Sequence, residues 1–332
     1  MKVVSIGGGT GLSTLLRGLK LHVTERARRA QMRPSISRLT AIVTVTDEGG
    51  SSGRLRREFQ ILPPGDIRNC MVALSEDEKL LTRLFNYRFA NGRGLAGHSF
   101  GNLFLAALTD LTRDFAKAVR VSSEVLAIRG EIFPSTLSDV RLKARLQDGR
   151  ILMGESRITA TRVPIRRLQI VPPRCRPLPE TLAAIEEADL ITLGPGSLYT
   201  SLIPNLLVRG IPEQIARSKA LKVYVANLMT QPGETRHYTA ADHLRALNEH
   251  AGGKLFDRMV LNTQPISPGA RKRYLVQDAE PVVIDLHKIR ALGVEPVCAH
   301  LLDEHRMVRH GSQRLAKLLL DLAAKARRRH AS

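Results

Sequence analysis

Residues 2–19 read KVVSIGGGTGLSTLLRGL, and this stretch decides the fold class. Val3, Val4 and Ile6 form a short apolar run that stops at Gly7, after which Leu12, Leu15, Leu16 and Leu19 recur at helical spacing. The order is strand, glycine turn, helix. Glycine lacks the Cβ that would hold a phosphate away from backbone amides at a helix N-terminus, so Gly8, Gly9, Thr10 and Gly11 read as a phosphate or nucleotide loop. Leu12 stands where G-x-G-x-x-G needs its last glycine, and no Lys-Ser/Thr pair follows. Neither the dinucleotide-oxidoreductase fingerprint nor a Walker loop is present.

Working outward, a basic, polar stretch over 24–38 reads as a crossover loop, and 39–45 as a buried strand of β-branched residues closing at Thr46-Asp47. Together these make a βαβ unit. Helices are expected over 67–75, 80–87 and 101–111. From about 121 to 175 the texture changes to short alternating runs around an Asp148-Gly149 turn, which reads as an antiparallel β insert. After a Pro-rich connection and a helix through Ile185, the opening pattern recurs: a strand over 189–193, then Gly194-Pro195-Gly196 and a helix. Further strands are expected at 222–226, 259–261, 281–284 and 295–299, and a helix at 313–329. The expectation is an α/β protein: a single Rossmann-like domain over 1–332 with a doubly wound, mostly parallel sheet and a small antiparallel β insert, binding ligands at the carboxyl ends of the strands.

Composition narrows the function. The 332 residues are 43% hydrophobic and 25% charged, enough apolar material for a substantial core. Three scattered cysteines (Cys70, Cys175, Cys298) exclude a disulfide scaffold and a zinc ribbon. No stretch reaches the roughly 20 apolar residues of a membrane span, so a cytoplasmic protein without a membrane partner is expected. The net charge of +20 admits a polyanion. The arginines run from Arg17 to Arg329 with few aromatics to stack bases, however, which argues against nucleic acid.

Several loops carry chemistry. Residues 46–54, TDEGGSSGR, follow the second strand and offer Asp47, Ser51, Ser52 and Arg54 to a ribose, phosphate or Mg²⁺. Pro64-Gly65-Asp66-Ile67-Arg68-Asn69 opens a helix, with Asp66 as its N-cap or a ligand group alongside Asn69. Gly97-His98-Ser99-Phe100-Gly101 matches the hydrolase elbow G-x-S-x-G, but a loop rather than a strand precedes it. His98, Ser99 and Asn102 are therefore read as ligand-loop groups, with no catalytic nucleophile assigned. Gly194, Gly196, Ser197, Tyr199 and Thr200 form a second anion loop. His300, His305 and His310, five apart, point about 140° apart on a helix and cannot share a metal, so no metal ligands are assigned.

The runs GGGTGLSTLLRGLK (7–20), TDEGGSSGRLR (46–56), GDIRN (65–69), GHSFGN (97–102), GPGSLYTS (194–201) and NLMTQPGET (227–235) together resemble the gluconeogenesis-factor (YvcK-type) branch of the 2-phospho-L-lactate transferase-like (CofD-like) superfamily. The resemblance implies a Rossmann-like homo-oligomer that binds a nucleotide diphosphate. In one branch this serves Mg²⁺-dependent phospholactyl transfer to a deazaflavin alcohol. The other is similar to binders of uridine-diphosphate N-acetylglucosamine acting in carbon flow and cell-envelope control. Where the transferase branch carries an acid-rich segment after strand two, this chain has Gly49-Gly50-Ser51-Ser52-Gly53-Arg54, which favours the binding regulator. On that reading no cofactor is required, Mg²⁺ entering only for a transferase, and the partners are a nucleotide sugar and candidate cell-envelope precursor enzymes. The diphosphate would lie over residues 8–11, with Tyr238 offering a stacking ring and Arg273 a second clamp.

Overall fold

The computed structural model describes residues 1–24, 34–76, 79–304 and 307–331. Twelve strands follow in chain order: β1 (Lys2–Gly7), β2 (Arg38–Val43), β3 (Glu131–Pro134), β4 (Arg141–Leu146), β5 (Ile151–Met153), β6 (Ile165–Val171), β7 (Leu190–Leu193), β8 (Leu221–Val225), β9 (Arg258–Asn262), β10 (Glu295–Ala299), β11 (Leu302–Glu304) and β12 (Val308–His310). Seven form one parallel sheet in the order β10-β9-β8-β7-β1-β2-β3. The chain starts in the middle of this sheet, winds outward through β2 and β3, then returns to the other side of β1 as β7. The switch of direction falls between β1 and β7, where Val3 pairs with Leu190 and Ile6 with Leu193.

Strands covered on both faces read as continuous apolar runs, which is why β1, β2 and β7 are legible. The helix α1 (Gly9–Leu19) buries Leu12, Leu15, Leu16 and Leu19 completely, packing on α3 (Gly65–Leu74) and on the C-terminal helix Ser312–Ala331. At Gly18 a Cβ would run into the Ser312 carbonyl, so glycine sets how closely those two helices approach. Between α1 and α3 in sequence lies α2 (Gly50–Phe59). After α3 come α4 (Lys79–Asn86), α5 (Phe100–Thr112) and α6 (Phe115–Val125). No helix among the described residues is long and apolar enough to cross a membrane.

Four expectations are corrected. The antiparallel insert is only β5-β4-β6, spanning 141–171. Residues 121–125 end α6, whose buried Phe115, Ala118, Val119 and Ser122 have helical spacing, and β3 joins the parallel sheet beside β2. Residues 281–284 form no strand, making isolated bridges from Pro281 to Met229 and Val283 to Thr239; proline has no N–H to extend a ladder. The loop expected at 46–54 turns helical at Gly50. His310 lies in the β11-β12 hairpin rather than a helix. Most of the crossover at 24–38 (residues 25–33), and His305, lie outside the described residues.

Candidate functional site

The two glycine turns meet at the switch point. Gly194 donates its N–H to the Ile6 carbonyl (3.1 Å), and Thr44 to that of Gly7 (2.9 Å), placing the ends of β1, β2 and β7 level. Gly8 caps α1 with extended backbone and offers no side-chain cap to the first helical turn. The glycines do different work. At Gly11 a Cβ would strike the Pro195 carbonyl oxygen, so this residue lets the two turns touch. Gly9, with φ +61°, has only Ser201 Oγ at 3.5 Å in front of it and is the one that faces open space.

That space is a cleft of about 250 Å³. Residues 8–11, Thr14, Gly196, Ser197 and Ser201 form its floor, residues 227–231 one wall, and Tyr274 with residues 307–310 the other. Asn227 pins the second turn, donating to the Gly196 carbonyl (2.8 Å) and accepting from the Gly196 N–H (3.2 Å). Gln231 donates to Ser197 Oγ (2.8 Å), and its own buried Oε1 has no protein partner. Arg309 brings a cation to the rim, close enough that its charge, after partial burial, lowers the pKa of Arg17 on α1.

The flank toward β2 is acidic. Asp66 is half-buried against the Gly8-Gly9 turn, and the Gly9 N–H bonds to it; loss of hydration, then the neighbouring Asp47, pushes its pKa up to about 7. Asp47 accepts from the Gly49 N–H (2.8 Å). Glu155, delivered by the insert, accepts from the Glu48 N–H (3.4 Å) and is raised to about 7 by burial and by Asp47. Glu234 of the 227–235 motif is buried and accepts from the Tyr199 N–H (2.9 Å) and Thr200 Oγ1 (2.8 Å), so its role is to satisfy the start of the turn at Leu198–Leu202. Burial raises its pKa as well.

The structure gathers some expected residues and not others. Gly8, Gly9, Thr10, Gly11, Gly196 and Ser197 line the cleft, and Asp47 and Asp66 stand beside it. Ser51, Ser52, His98 and Asn102 form one buried network: Ser51 Oγ lies 2.9 Å from His98 Nδ1, and Asn102 donates to Ser51 (3.1 Å) and Ser52 (3.4 Å). Ser99 is the N-cap of α5, accepting from the Asn102 N–H, a structural role with no nucleophilic geometry. Arg54 bonds the carbonyls of Ala96 (2.6 Å) and Gly94 (2.7 Å), tying down a loop. Asn69 accepts from Arg68. Gly194 (φ +81°) shapes its turn from behind. Tyr199 is buried with its hydroxyl 2.8 Å from that of Tyr238, and both hydroxyls are held above their usual pKa by burial. Arg273 does not line the cleft; its neighbour Tyr274 does. Sequence reading missed Asn227, Gln231, Tyr274, Arg309 and Glu155. Asn227 and Gln231 lie inside a quoted motif, whereas the other three carry no local signal.

A parallel α/β sheet with paired glycine turns meeting at its switch point defines the doubly wound class of α/β protein, whose ligand crevice lies at that point. Residues 3–302 match the family described as 2-phospho-L-lactate transferase CofD, and the chain belongs to that family. It is 47% identical to the "Gluconeogenesis factor" of Bacillus subtilis, covering 97% of this chain and 98% of that one. It is 53% identical to the "Putative gluconeogenesis factor" of a Nostoc species, covering 96% of this chain and 68% of the relative. A crystal structure of a UPF0052-family protein from Bacillus halodurans superposes with a TM-score of 0.90 at 47% identity, over 96% of this chain and 98% of that one.

Proposed function

We propose that the chain is a cytoplasmic regulator of gluconeogenic growth, cell shape and envelope-precursor supply that binds a sugar nucleotide of the uridine-diphosphate N-acetylglucosamine kind. The gluconeogenesis-factor relatives support the gluconeogenic part of this reading. The observation that carries the ligand half is the cleft at the β1/β7 switch point, where the glycine-rich helix start at residues 8–11, Ser197, Ser201 and Arg309 line one volume. Charge-assisted bonds from such groups to a diphosphate contribute about 1.5–3 kcal/mol each. A thermal-shift and calorimetric screen over nucleotide sugars tests it, because a ligand at about 100 times its Kd stabilises by roughly 2.7 kcal/mol. No shift with any uridine nucleotide would overturn the reading.

A second reading, a Mg²⁺-dependent transferase on a nucleotide-diphosphate-activated phospho-acid, draws on Asp66 and Glu155, whose pKa values near 7 suit proton exchange. Among the described residues no three carboxylate, imidazole or thiol groups are arranged to hold a metal. A Mg²⁺ would rest on Asp47 and Asp66 with ligand phosphate oxygens completing its shell. It would neutralise charge on the departing nucleotide. The two readings separate on one measurement. Uridine-diphosphate N-acetylglucosamine incubated with Mg²⁺ should stay intact for hours, and protein-dependent release of a uridine phosphate, lost in Asp66→Asn, would promote the transferase.

A further inference from the structure

The end of the sheet away from the glycine cleft carries a larger hollow. There β7, β8, β9 and β10 begin, and a groove of about 820 Å³ runs between their first residues and the C-terminal helix. Among the described residues that line it, seven lysines and arginines stand against three carboxylates. Two of those carboxylates already serve the fold: Asp189 accepts the Lys2 N–H (2.7 Å) and Asp257 the Lys222 N–H (2.8 Å). Their nearest cations are held only loosely, Arg327 at 3.6 Å from Asp189 and Lys222 at 3.9 Å from Asp257. The third, Glu295, is exposed. The side chains of Lys219, Arg258, Arg290 and Lys325 have no hydrogen-bond or ion-pair partner among the described residues, and Arg258 is half-buried in that condition. A partly dehydrated cation without a counter-charge is costly, and an anion would offset that cost.

Fold alone accounts for only part of this charge. Arg327 and Arg329 lie near the C-terminus of a helix, where cations answer the helix dipole. Lys219, Arg258 and Arg290 come from three other segments and have no such reason to converge. The rest of the lining selects among anions. Ala220 and Val294 are buried and Leu221 and Leu322 half-buried between the charges, and this apolar surface offers nothing to a free phosphate. No aromatic ring lines the groove among the described residues, so nucleic-acid bases would have nothing to stack on. A second copy of the chain would bring its own net charge of +20. A peptide that mixes carboxylates with aliphatic side chains gains from both kinds of surface.

We propose that this groove docks an acidic, leucine-bearing segment of a partner protein, with its carboxylates on Lys219, Arg258, Arg290 and Lys325 and its aliphatic side chains on the apolar surface between them. The groove lies at the amino ends of the strands and the glycine cleft at their carboxyl ends, so docking does not depend on the function proposed above. The test is fluorescence anisotropy of the full chain with three labelled probes of matched charge: a peptide repeating Glu-Glu-Leu, one repeating Glu-Glu-Ser, and a single-stranded oligothymidylate. Wild type should bind the leucine peptide several-fold more tightly than the serine peptide, and the oligonucleotide more weakly still. Arg290→Glu with Lys325→Glu, both exposed, should weaken the leucine peptide tenfold or more at an unchanged Tm, and the corresponding alanine pair should weaken it less. Arg166→Glu with Arg167→Glu, the same charge change on the exposed face of β6, should leave it bound as before. The proposal is overturned if wild type does not bind the leucine peptide, if it binds both peptides equally, or if the β6 pair weakens binding as much as the groove pair. Tighter binding of the oligonucleotide, lost in the groove pair, would make the surface a nucleic-acid site instead.

Discussion

Asp66 holds its proton to about pH 7 in the fold, whereas an unfolded aspartate releases it near 3.9. Between roughly pH 4 and 7 the folded protein therefore binds protons that the unfolded chain has lost, so stability falls as pH rises through that window and levels off above it. Asp66→Asn removes that slope. The variant should be more stable than wild type at pH 8, by an amount on the order of a few kcal/mol, and little changed at pH 4.5. Urea unfolding at the two pH values checks this, and an equal effect at both would mean that the folded carboxyl is already ionised. The glycines nearby make a paired test. Gly9→Ala meets only Ser201 Oγ, at an ordinary contact distance of 3.5 Å, but must adopt φ +61°, costing about 1–2 kcal/mol. Gly11→Ala must push the Pro195 backbone away and should lose more, read as the larger fall in Tm.

At the scale of elements, α5 begins at Ser99, whose hydroxyl caps the Asn102 N–H. Ser99→Ala should cost about 1 kcal/mol of stability. Neither form should be labelled by a fluorophosphonate, since Ser99 is fully buried; stoichiometric labelling of native protein would revive a hydrolase. Elements were legible wherever one face or both were continuously buried, as in β1, β2, β7 and α1. They were misread where a boundary fell inside an apolar run. Val125, Leu126 and Ile128 belong to a helix end and a turn, and only the positive φ of Ala127 (45°), which an alanine does not announce, breaks the run. The site divided the same way. Its glycine turns are written in consecutive residues, but Glu155 and Arg309 reach it from elements more than a hundred residues from Asp47 and Gly9, and only the sheet order brings them there.

For the whole molecule, the C-terminal helix is part of the core: Leu315, Leu319 and Leu320 are fully buried, and the helix covers α1. At about 1.5–3 kcal/mol for each buried leucine, these three alone account for roughly 5–9 kcal/mol, comparable with a domain's entire stability. A chain ending at Gly311 should therefore fail to give a cooperative thermal transition. A sharp transition near the full-length Tm would show that α1 finds other cover.

The cleft's lining comes from distant parts of the sequence, Gly9 in its floor and Arg309 in one wall, 300 positions apart. During synthesis at about 5–20 residues per second, roughly 300 residues, or about 15–60 seconds, separate the two. Until residues 307–331 have been made, a ribosome-bound chain has neither the cover of α1 nor a closed cleft. A nucleotide sugar bound as proposed above would therefore protect only chains whose β11-β12 hairpin and the helix behind it have left the exit tunnel.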